Sequence, residues 1–403
     1  MSSTAEGNGA RPLEPVHIIE NIGDLEHLAR ILMKSPRIAV DLESDSFYSY
    51  HHKICLAQIS DEKHDYIVDP LAVRDMSPLG PVLRDERIEK VFHAAEYDIQ
   101  CLKRDYGFEI NGLFDTMAAA RILGSKELGL ASLIARYFDV HLSKKLQRAD
   151  WGKRPLSDAQ IDYARMDTHY LLRLRDLLHG ELSERDRLKD AFEEFARLER
   201  VEHPDRSFDP DSYWKLPGAK TLAPNARAVL KEINLLRERT AAEIDKAPFR
   251  VMPEPLMVRI AEKLPGNLHE LERVPGMTPY LFKRFGRELM DAVKKGLDAE
   301  PIESPPERQH QDRWDPGSML RYQLLRQWRK QKAADRGLDP VVILTTDDLR
   351  KLAKAPADEA EESSWLSLLT ERKRELYGEE VLGILKTPVP QSVGKRRRRR
   401  RRR

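Results

Sequence analysis

Acidic side chains occur where a strand would hold two of them on one face. In the segment RIAVDLES (37–44), Asp41 and Glu43 lie two positions apart, and side chains at i and i+2 of a strand point the same way. Two carboxylates at the end of an apolar strand repel each other and lose hydration unless a cation neutralises them. Hard oxygen donors of this kind suit Mg²⁺ or Mn²⁺, so the pair indicates a candidate metal site.

Two further motifs could complete such a site. Asp98 follows the strand-like VFHAA in the first turns of a predicted helix, and Tyr163 and Asp167 lie four positions apart on one face of another. Metal-dependent hydrolysis of a phosphodiester needs a small set of carboxylates that hold two ions, and a tyrosine can orient the attacking water. We predict a site of four metal-binding carboxylates and one tyrosine: Asp41, Glu43, Asp98, Asp167 and Tyr163.

The pattern around these residues predicts a mixed α/β sheet flanked by helices. Strand-like runs separated by short turns indicate a meander of three neighbouring strands at 37–44, 53–60 and 65–70. Further elements are predicted as a helix at 76–85, a strand at 90–94, and helices at 96–104, 115–123 and 128–138. Ser157 and Asp158 supply N-cap chemistry for the helix that carries Tyr163, which extends toward Glu199 with interruptions.

The remainder of the chain is predicted to be helical and repeated. A segment rich in Pro, Asp and Ser at 203–217 lacks periodicity and indicates a linker. Beyond it, similar residues recur 92 positions apart, as in the pairs Pro248 and Pro340, Ile260 and Leu352, and Phe285 and Tyr377. Self-similarity at a fixed spacing predicts two copies of one helical module.

These patterns divide the chain into seven predicted segments. They are a disordered N-terminus (1–14), a catalytic α/β domain (15–202), a linker (203–217), a helical domain (218–297), a second linker (298–315), a second helical domain (316–388) and a disordered arginine-rich tail (389–403).

Charge is concentrated in the tail. The formal net charge is +2, yet Lys395 and the run Arg396–Arg403 place nine positive charges in the last nine residues, so the remaining chain carries −7. A block of like charges repels itself, and it releases counterions when it meets a polyanion. We interpret the tail as a nonspecific nucleic-acid arm, with a solvated low-complexity end as the alternative.

Other patterns argue against several classes of protein. No stretch approaches the roughly 20 uncharged apolar residues of a membrane span, and the polar N-terminus lacks a leader-like apolar run, which favours an intracellular protein. Cys55 and Cys101 are expected in cores, without a disulfide or structural zinc. The segment LPGAKT (216–221) lacks the G-x-x-x-x-G-K-[ST] spacing, so no ATP dependence is predicted.

Local roles are expected for several other polar residues. His93 lacks a partner at metal-ligand spacing and is expected to support the helix that carries Asp98. Asp115 is expected to cap the helix that begins beside it. Three basic residues are expected either to contact phosphates or to form a solvated face: Lys283, Arg284 and Arg287.

The order of the acidic motifs resembles that of the DEDDy exonucleases, which have a ribonuclease-H-like fold. Within that group, the segment FHAAEYDIQCLKRDYGFEINGLFDTMAAARILG, with QRADWGKRPL (147–156) and YARMDTHYLL (163–172), is similar to the ribonuclease D family over roughly residues 15–200. The repeat resembles the HRDC module of RecQ-type helicases and ribonuclease D, and residues 245–265 are its clearer copy.

The resemblance implies an α/β ribonuclease-H-like exonuclease domain followed by two all-α HRDC-like domains. It implies a cytoplasmic, monomeric 3′→5′ exoribonuclease that uses two divalent ions, Mg²⁺ or Mn²⁺, and releases nucleoside 5′-monophosphates from the 3′ ends of tRNA precursors and other stable RNAs. In such enzymes Asp41, Glu43 and Asp167 would bind the metal nearer the nucleophile, and Asp41 would bridge to the second. Asp98 would hold that second metal through water, and Tyr163 would position the nucleophile.

Two alternatives remain open from the residues alone. The same carboxylates could cleave DNA from its 3′ end, because no residue is identified as a reader of the ribose 2′-hydroxyl. A noncatalytic RNA-binding scaffold is the other alternative, in which the helical repeats and the tail bind RNA.

Overall fold

The computed structural model describes residues 13–203, 208–304, 314–355, 365 and 368–387. The arginine-rich tail, most of the predicted disordered N-terminus and parts of both predicted linkers lie outside these residues. Among the helices described, none combines the length and the apolar character needed to cross a membrane.

A mixed six-stranded sheet forms the centre of the N-terminal domain. Its strand order is β1-β4-β3-β2-β5-β6, where the strands are β1 (His17–Ile19), β2 (Arg37–Ser44), β3 (Ile54–Ser60), β4 (Asp65–Val68), β5 (Glu89–Phe92) and β6 (Leu113–Asp115). The antiparallel pairs β2–β3 and β3–β4 confirm the predicted meander, and the other pairs are parallel. The two strands that the sequence did not predict, β1 and β6, are three residues long and too short to show an alternating pattern.

Nine helices accompany this sheet in the described part of the domain. They are α1 (Ile22–Leu32), α2 (Pro70–Val73), α3 (Gly80–Arg84), α4 (Glu96–Tyr106), α5 (Thr116–Ile122), α6 (Leu130–Phe138), α7 (Asp158–His169), α8 (Leu171–Glu184) and α9 (Leu188–Glu199). The helical stretch predicted at 76–85 is present, but it is divided into a 3-10 turn, Ser77–Leu79, and α3. Pro78 and Pro81 cannot donate backbone hydrogen bonds, which explains the break.

Two helical modules follow, as the repeat predicts. The first contains α10 (Pro224–Glu243), α11 (Pro248–Val251), α12 (Glu254–Lys263), α13 (Leu268–Glu272) and α14 (Pro279–Asp298). The second contains α15 (Pro316–Arg336), α16 (Pro340–Ile343), α17 (Thr346–Lys354) and α18 (Glu371–Leu385). The matched prolines Pro248 and Pro340 begin corresponding short helices, and the matched Ile260 and Leu352 are both buried. The repeat therefore has the same structural meaning in both copies.

The described residues form two compact units that alternate along the chain. One unit is drawn from residues 1–116, 129–175 and 198–310, and therefore contains the sheet, α7 and the first helical module. The other is drawn from 117–128, 176–197 and 311–403, and contains the second module with most of α5, α8 and α9.

Candidate active site

Strand β2 places two acids on one face of the sheet. Asp41 and Glu43 are partly exposed, whereas Leu42 between them lines an apolar interior cavity on the opposite face. The β2–β3 register shifts between Glu43 and Ser44, so regular pairing is interrupted directly after the second acid. The alternation predicted from the sequence is therefore confirmed at these positions.

The turn between β5 and α4 positions Asp98. The strand ends at Phe92, and Ala94 adopts a positive φ of 62°, which is uncommon for a residue with a side chain. The Ala95 N–H donates a 2.6 Å hydrogen bond to Oδ2 of the buried Asp115, which fixes the start of α4. Asp98 then lies in the first turn of α4, as predicted.

Asp115 and His93 both hold this turn. The sequence predicts a cap at the following helix for Asp115; the structure places its carboxylate at the end of β6, where it accepts from the Ala95 N–H at the start of α4. Nδ1 of His93 lies 2.9 Å from Oγ1 of Thr116, and that hydroxyl donates to the Phe92 carbonyl at 3.0 Å. These contacts fit the structural role predicted for His93.

Helix α7 carries the other two predicted site residues. A capping box starts it, in which the Ser157 hydroxyl accepts from the Gln160 N–H and the Gln160 side chain accepts from the Ser157 N–H. Tyr163 and Asp167 follow one helical turn apart on one face. The predicted N-cap is confirmed, although the helix ends at His169 and Tyr170 separates it from α8.

A buried polar network lies beneath α7. The Ser60 hydroxyl is 2.7 Å from both Oδ1 of Asp65 and the Thr168 hydroxyl. Nδ1 of His169 lies 2.8 Å from Oδ2 of Asp65, and Nε of Arg165 is 3.9 Å from the same oxygen. All five side chains are buried, so β3 and β4 fix the rotation and height of the helix that presents Tyr163 and Asp167.

Three of the predicted carboxylates converge. Asp41, Glu43 and Asp167 each offer an oxygen, and these oxygens all lie within 4.8 Å of one another. Burial raises the pKa of Asp41 from 3.8 to about 7. Burial, followed by repulsion from Asp41, Asp167 and Asp98, raises the pKa of Glu43 from 4.5 to about 10. Burial and then repulsion from Asp41 raise the pKa of Asp167 from 3.8 to about 8.

Asp98 and Tyr163 belong to the same electrostatic neighbourhood. Burial and then the charges of Asp41, Asp115 and Asp167 raise the pKa of Asp98 well above 3.8. Burial, followed by repulsion from the converging carboxylates, raises the pKa of the Tyr163 phenol. The charges of Asp41 and Asp167 therefore act on the other three predicted site residues, Glu43, Asp98 and Tyr163, and this concentration of carboxylates favours cations.

A divalent metal ion suits this donor set. Mg²⁺ and Mn²⁺ prefer carboxylate oxygens, and a bound ion would offset the mutual repulsion that adds to burial in raising the pKa values of Glu43, Asp98 and Asp167. Asp41, Glu43 and Asp167 fit as direct ligands on the closeness of their oxygens.

Comparison with known proteins identifies the family. The chain matches the 3′–5′ exonuclease family over residues 16–183 and the HRDC domain over residues 226–293 and 319–385. A bacterial ribonuclease D also matches 92% of this chain, so the chain belongs to the ribonuclease D family. The fold-class prediction is thereby confirmed, since a mixed sheet flanked by helices precedes two helical HRDC domains.

Individual relatives cover different shares of the chain. Ribonuclease D of Gluconacetobacter diazotrophicus is 28% identical over 376 residues, which is 92% of this chain and 93% of that protein. The structure of Escherichia coli RNase D superposes with a TM-score of 0.63 at 25% identity and covers 91% of this chain and 99% of that one. The exosome complex component 10 homolog of Caenorhabditis elegans is 33% identical over 71% of this chain, but the chain spans only 33% of that protein.

The sequence reasoning missed two residues beside this site. Gln58 of β3 is paired in register with Asp41 and is fully buried. Its side-chain amide, Nε2 and Oε1, has no hydrogen-bond partner among the described residues. The buried Trp151 ring lies 5.9 Å from the Tyr163 ring, measured between centroids. Each residue had a signal in the sequence: Gln58 is a polar residue inside the apolar run ICLAQIS, and Trp151 is a tryptophan inside a charged loop.

Proposed function

We propose that this protein is a metal-dependent 3′→5′ exoribonuclease that releases nucleoside 5′-monophosphates. The observation that carries the proposal is the convergence of Asp41, Glu43 and Asp167 within 4.8 Å, in a chain of the ribonuclease D family. Asp98 and Tyr163 complete the DEDDy order of site residues.

The carboxylates hold two divalent ions, Mg²⁺ or Mn²⁺. Asp41, Glu43 and Asp167 would hold the first ion, Asp41 would also serve the second, and Asp98 would hold the second through water. Such ions would supply a lower pKa for the attacking water and stabilisation of the negative charge on the leaving 3′ oxygen. The partial exposure of Asp41, Glu43 and Asp167 leaves room for the substrate phosphate beside them.

Tyr163 orients the attacking water. Its raised pKa keeps the phenol protonated at neutral pH, so the hydroxyl can donate a hydrogen bond. The buried Trp151 ring packs near the Tyr163 ring and α7 fixes its backbone, so the phenol loses little freedom when substrate binds.

The substrate is RNA, with the 3′ ends of tRNA precursors and other stable RNAs as the physiological class. The E. coli relative is described as an exoribonuclease involved in structured RNA processing, which supports RNA over DNA. We further propose that the protein is cytoplasmic, acts as a monomer and needs no ATP, the last because LPGAKT (216–221) lacks the phosphate-binding spacing.

A direct test uses purified full-length protein and a 5′-labelled single-stranded RNA with Mn²⁺. The parent protein is expected to produce a ladder of RNAs shortened by single nucleotides from the 3′ end. Asp41→Asn and Asp167→Asn should reduce the rate by at least about 10³-fold, since each removes a ligand of ions that contribute several kcal/mol to catalysis.

Asp162→Asn is the matched control, because Asp162 is an exposed acid on the same helix. It should retain the parent rate and the parent Mn²⁺ affinity in a calorimetric titration. Full activity in both site variants would refute the metal centre. Faster trimming of a DNA strand of the same sequence would favour the DNA exonuclease, and RNA binding without trimming would favour the scaffold.

A further inference from the structure

Two exposed phenylalanines lie beside the loop that follows β2. Phe47, four residues beyond Glu43, is 44% exposed, and Phe249 of α11 is 50% exposed. Exposed large apolar side chains that lie close together on a soluble surface mark interaction sites more often than single ones do. We call Phe47, Phe249 and the exposed Arg148 and Arg250 the aromatic–arginine platform.

Arg250 connects the two phenylalanines. Its Nε donates a 2.6 Å hydrogen bond to the Phe47 carbonyl, and its guanidinium carbon lies 3.8 Å from the centroid of the Tyr48 ring. The same carbon lies 5.9 Å from the centroid of the Phe249 ring. The Arg250 guanidinium is thereby held beside two aromatic rings and the Phe47 carbonyl, by contacts within one compact unit.

Arg148 extends the platform toward the loop that contains Trp151. Its guanidinium carbon lies 5.7 Å from the centroid of the Phe47 ring, and its carbonyl accepts a 3.0 Å hydrogen bond from the Tyr48 hydroxyl. Three further exposed cations follow the same loop: Lys144, Lys145 and Lys153. Arg148 and Arg250 therefore each lie beside one of the exposed rings, and the loop that carries Arg148 is rich in exposed positive charge.

The first helical module holds this loop in place. The Ala247 N–H donates to the Tyr48 carbonyl at 2.9 Å, and the His51 N–H donates to Oδ1 of Asp245 at 2.8 Å. On the other side, the buried Asp45 carboxylate accepts from the Lys53 N–H at 2.7 Å. A surface that is ordered before its ligand arrives loses less entropy on binding.

We propose that the aromatic–arginine platform binds single-stranded RNA, with unpaired bases stacked on Phe47 and Phe249 and phosphates paired with Arg148 and Arg250. Single-stranded RNA exposes flat base faces and a continuous negative backbone, which match flat rings interleaved with guanidinium groups. Duplex RNA hides its base faces, so the platform selects an unpaired strand of any sequence. The inference rests on the proposed exoribonuclease function and identifies where its substrate is held.

The test measures binding of a fluorescein-labelled, single-stranded 12-nucleotide RNA to the full chain by anisotropy, in EDTA so that no cleavage occurs. Phe47→Ala and Phe249→Ala should each raise the Kd by about five- to tenfold, the lower part of the range for loss of a base–aromatic stack. Phe47→Trp should keep the parent Kd, whereas Phe47→Leu should weaken binding as much as alanine does.

Phe192→Ala is the control, because Phe192 of α9 is 48% exposed but lies outside the platform. Its Kd should equal that of the parent, and all variants should bind a blunt RNA duplex as the parent does. The proposal would be overturned if both alanine variants, or Phe47→Leu, bound the single strand with the affinity of the parent. It would also be overturned if the variants lost as much affinity for the duplex, and the rings would then be assigned to ordinary apolar contact with a protein.

Hydrolysis of a dinucleotide with Mn²⁺ reports the metal centre separately. Far-UV circular dichroism and the thermal unfolding midpoint of each platform variant should match those of the parent, which shows that the variants fold. If the parent binds single-stranded RNA through the platform but never hydrolyses RNA, the proposed exonuclease function fails while the platform stands. If hydrolysis occurs and the platform variants bind RNA normally, only the platform proposal fails.

Discussion

Three carboxyl groups share a small, partly buried volume at the end of β2 and the last turn of α7, and this has a cost when no cation is bound. Burial raises the pKa of Asp41 from 3.8 to about 7, and burial followed by repulsion from Asp41 raises the pKa of Asp167 from 3.8 to about 8. A carboxyl group whose pKa is higher in the folded state than in the unfolded state makes its full contribution to stability at pH values below the unfolded-state pKa. That contribution is lost as the pH rises through the folded-state pKa.

The metal-free protein should become less stable as the pH rises. In EDTA, these groups should lower the thermal unfolding midpoint as pH rises from about 4 to about 8. Asp167→Asn removes one group whose pKa is raised in the folded state, so the midpoint of this variant should fall less steeply between pH 5 and pH 8.5. Scanning calorimetry of both proteins measures the two slopes, and parallel curves would contradict the electrostatic account.

The sequence predicted the residues whose relation is local. Asp41 and Glu43 follow from the two-residue repeat of a strand, and Tyr163 and Asp167 from the four-residue spacing of a helix. Gln58 and the hydrogen bond from Ala95 to Asp115 did not follow, because the first depends on the β2–β3 register and the second joins residues 20 positions apart. Contacts between elements have no local pattern.

Helix α7 depends on the polar network beneath it as much as on its own sequence. Asp65 of β4 is the centre of that network, since Ser60, His169 and Arg165 all approach its carboxylate. A buried charged group that loses its partner is left without compensation, and the loss is larger than the value of the pair itself. The position of Tyr163 and Asp167 therefore relies on a residue of a neighbouring strand.

Removing the Asp65 carboxylate should destabilise the protein strongly. Asp65→Ala is expected to lower the free energy of unfolding by about 3–5 kcal/mol, because it leaves Arg165 buried without its carboxylate partner. Asp65→Asn keeps an oxygen acceptor and should lose less. Urea unfolding followed by circular dichroism measures both, with Asp162→Ala on the exposed side of α7 expected within about 0.5 kcal/mol of the parent. Equal stability of parent and Asp65→Ala would refute this role.

The whole molecule was predictable where the chain repeats and not where distant segments meet. The 92-residue repeat predicted both helical modules, because the same positions are buried in each. The sequence did not predict that the second helical module and most of α9 would belong to one compact unit. Within that unit, Arg336 pairs with Asp190 at 2.7 Å across 146 residues of chain. An ion pair between residues so far apart in the chain cannot be predicted from residue spacing or composition.

The arginine-rich tail is predicted to strengthen RNA binding through its positive charge. We predict that removing residues 395–403 reduces the salt dependence of RNA binding, because each phosphate contact contributes about 0.7 to the slope of log K against log salt for a single strand. Dinucleotide hydrolysis should be unaffected. Anisotropy titrations between 50 and 300 mM KCl measure the slope for both proteins, and an unchanged slope would show that the tail does not contact RNA.

The alternation of the two compact units has a consequence for gene truncation. Their boundaries fall after residues 116, 128, 175, 197 and 310, so the chain passes from one unit to the other five times. Three of these passages lie inside α5, α8 and α9. A stop codon after residue 202 would yield parts of both units and the whole of neither. Half-length fragments chosen from the linear domain order are therefore poor substitutes for the full chain, and a shortened reading frame should be judged by its folding before its activity.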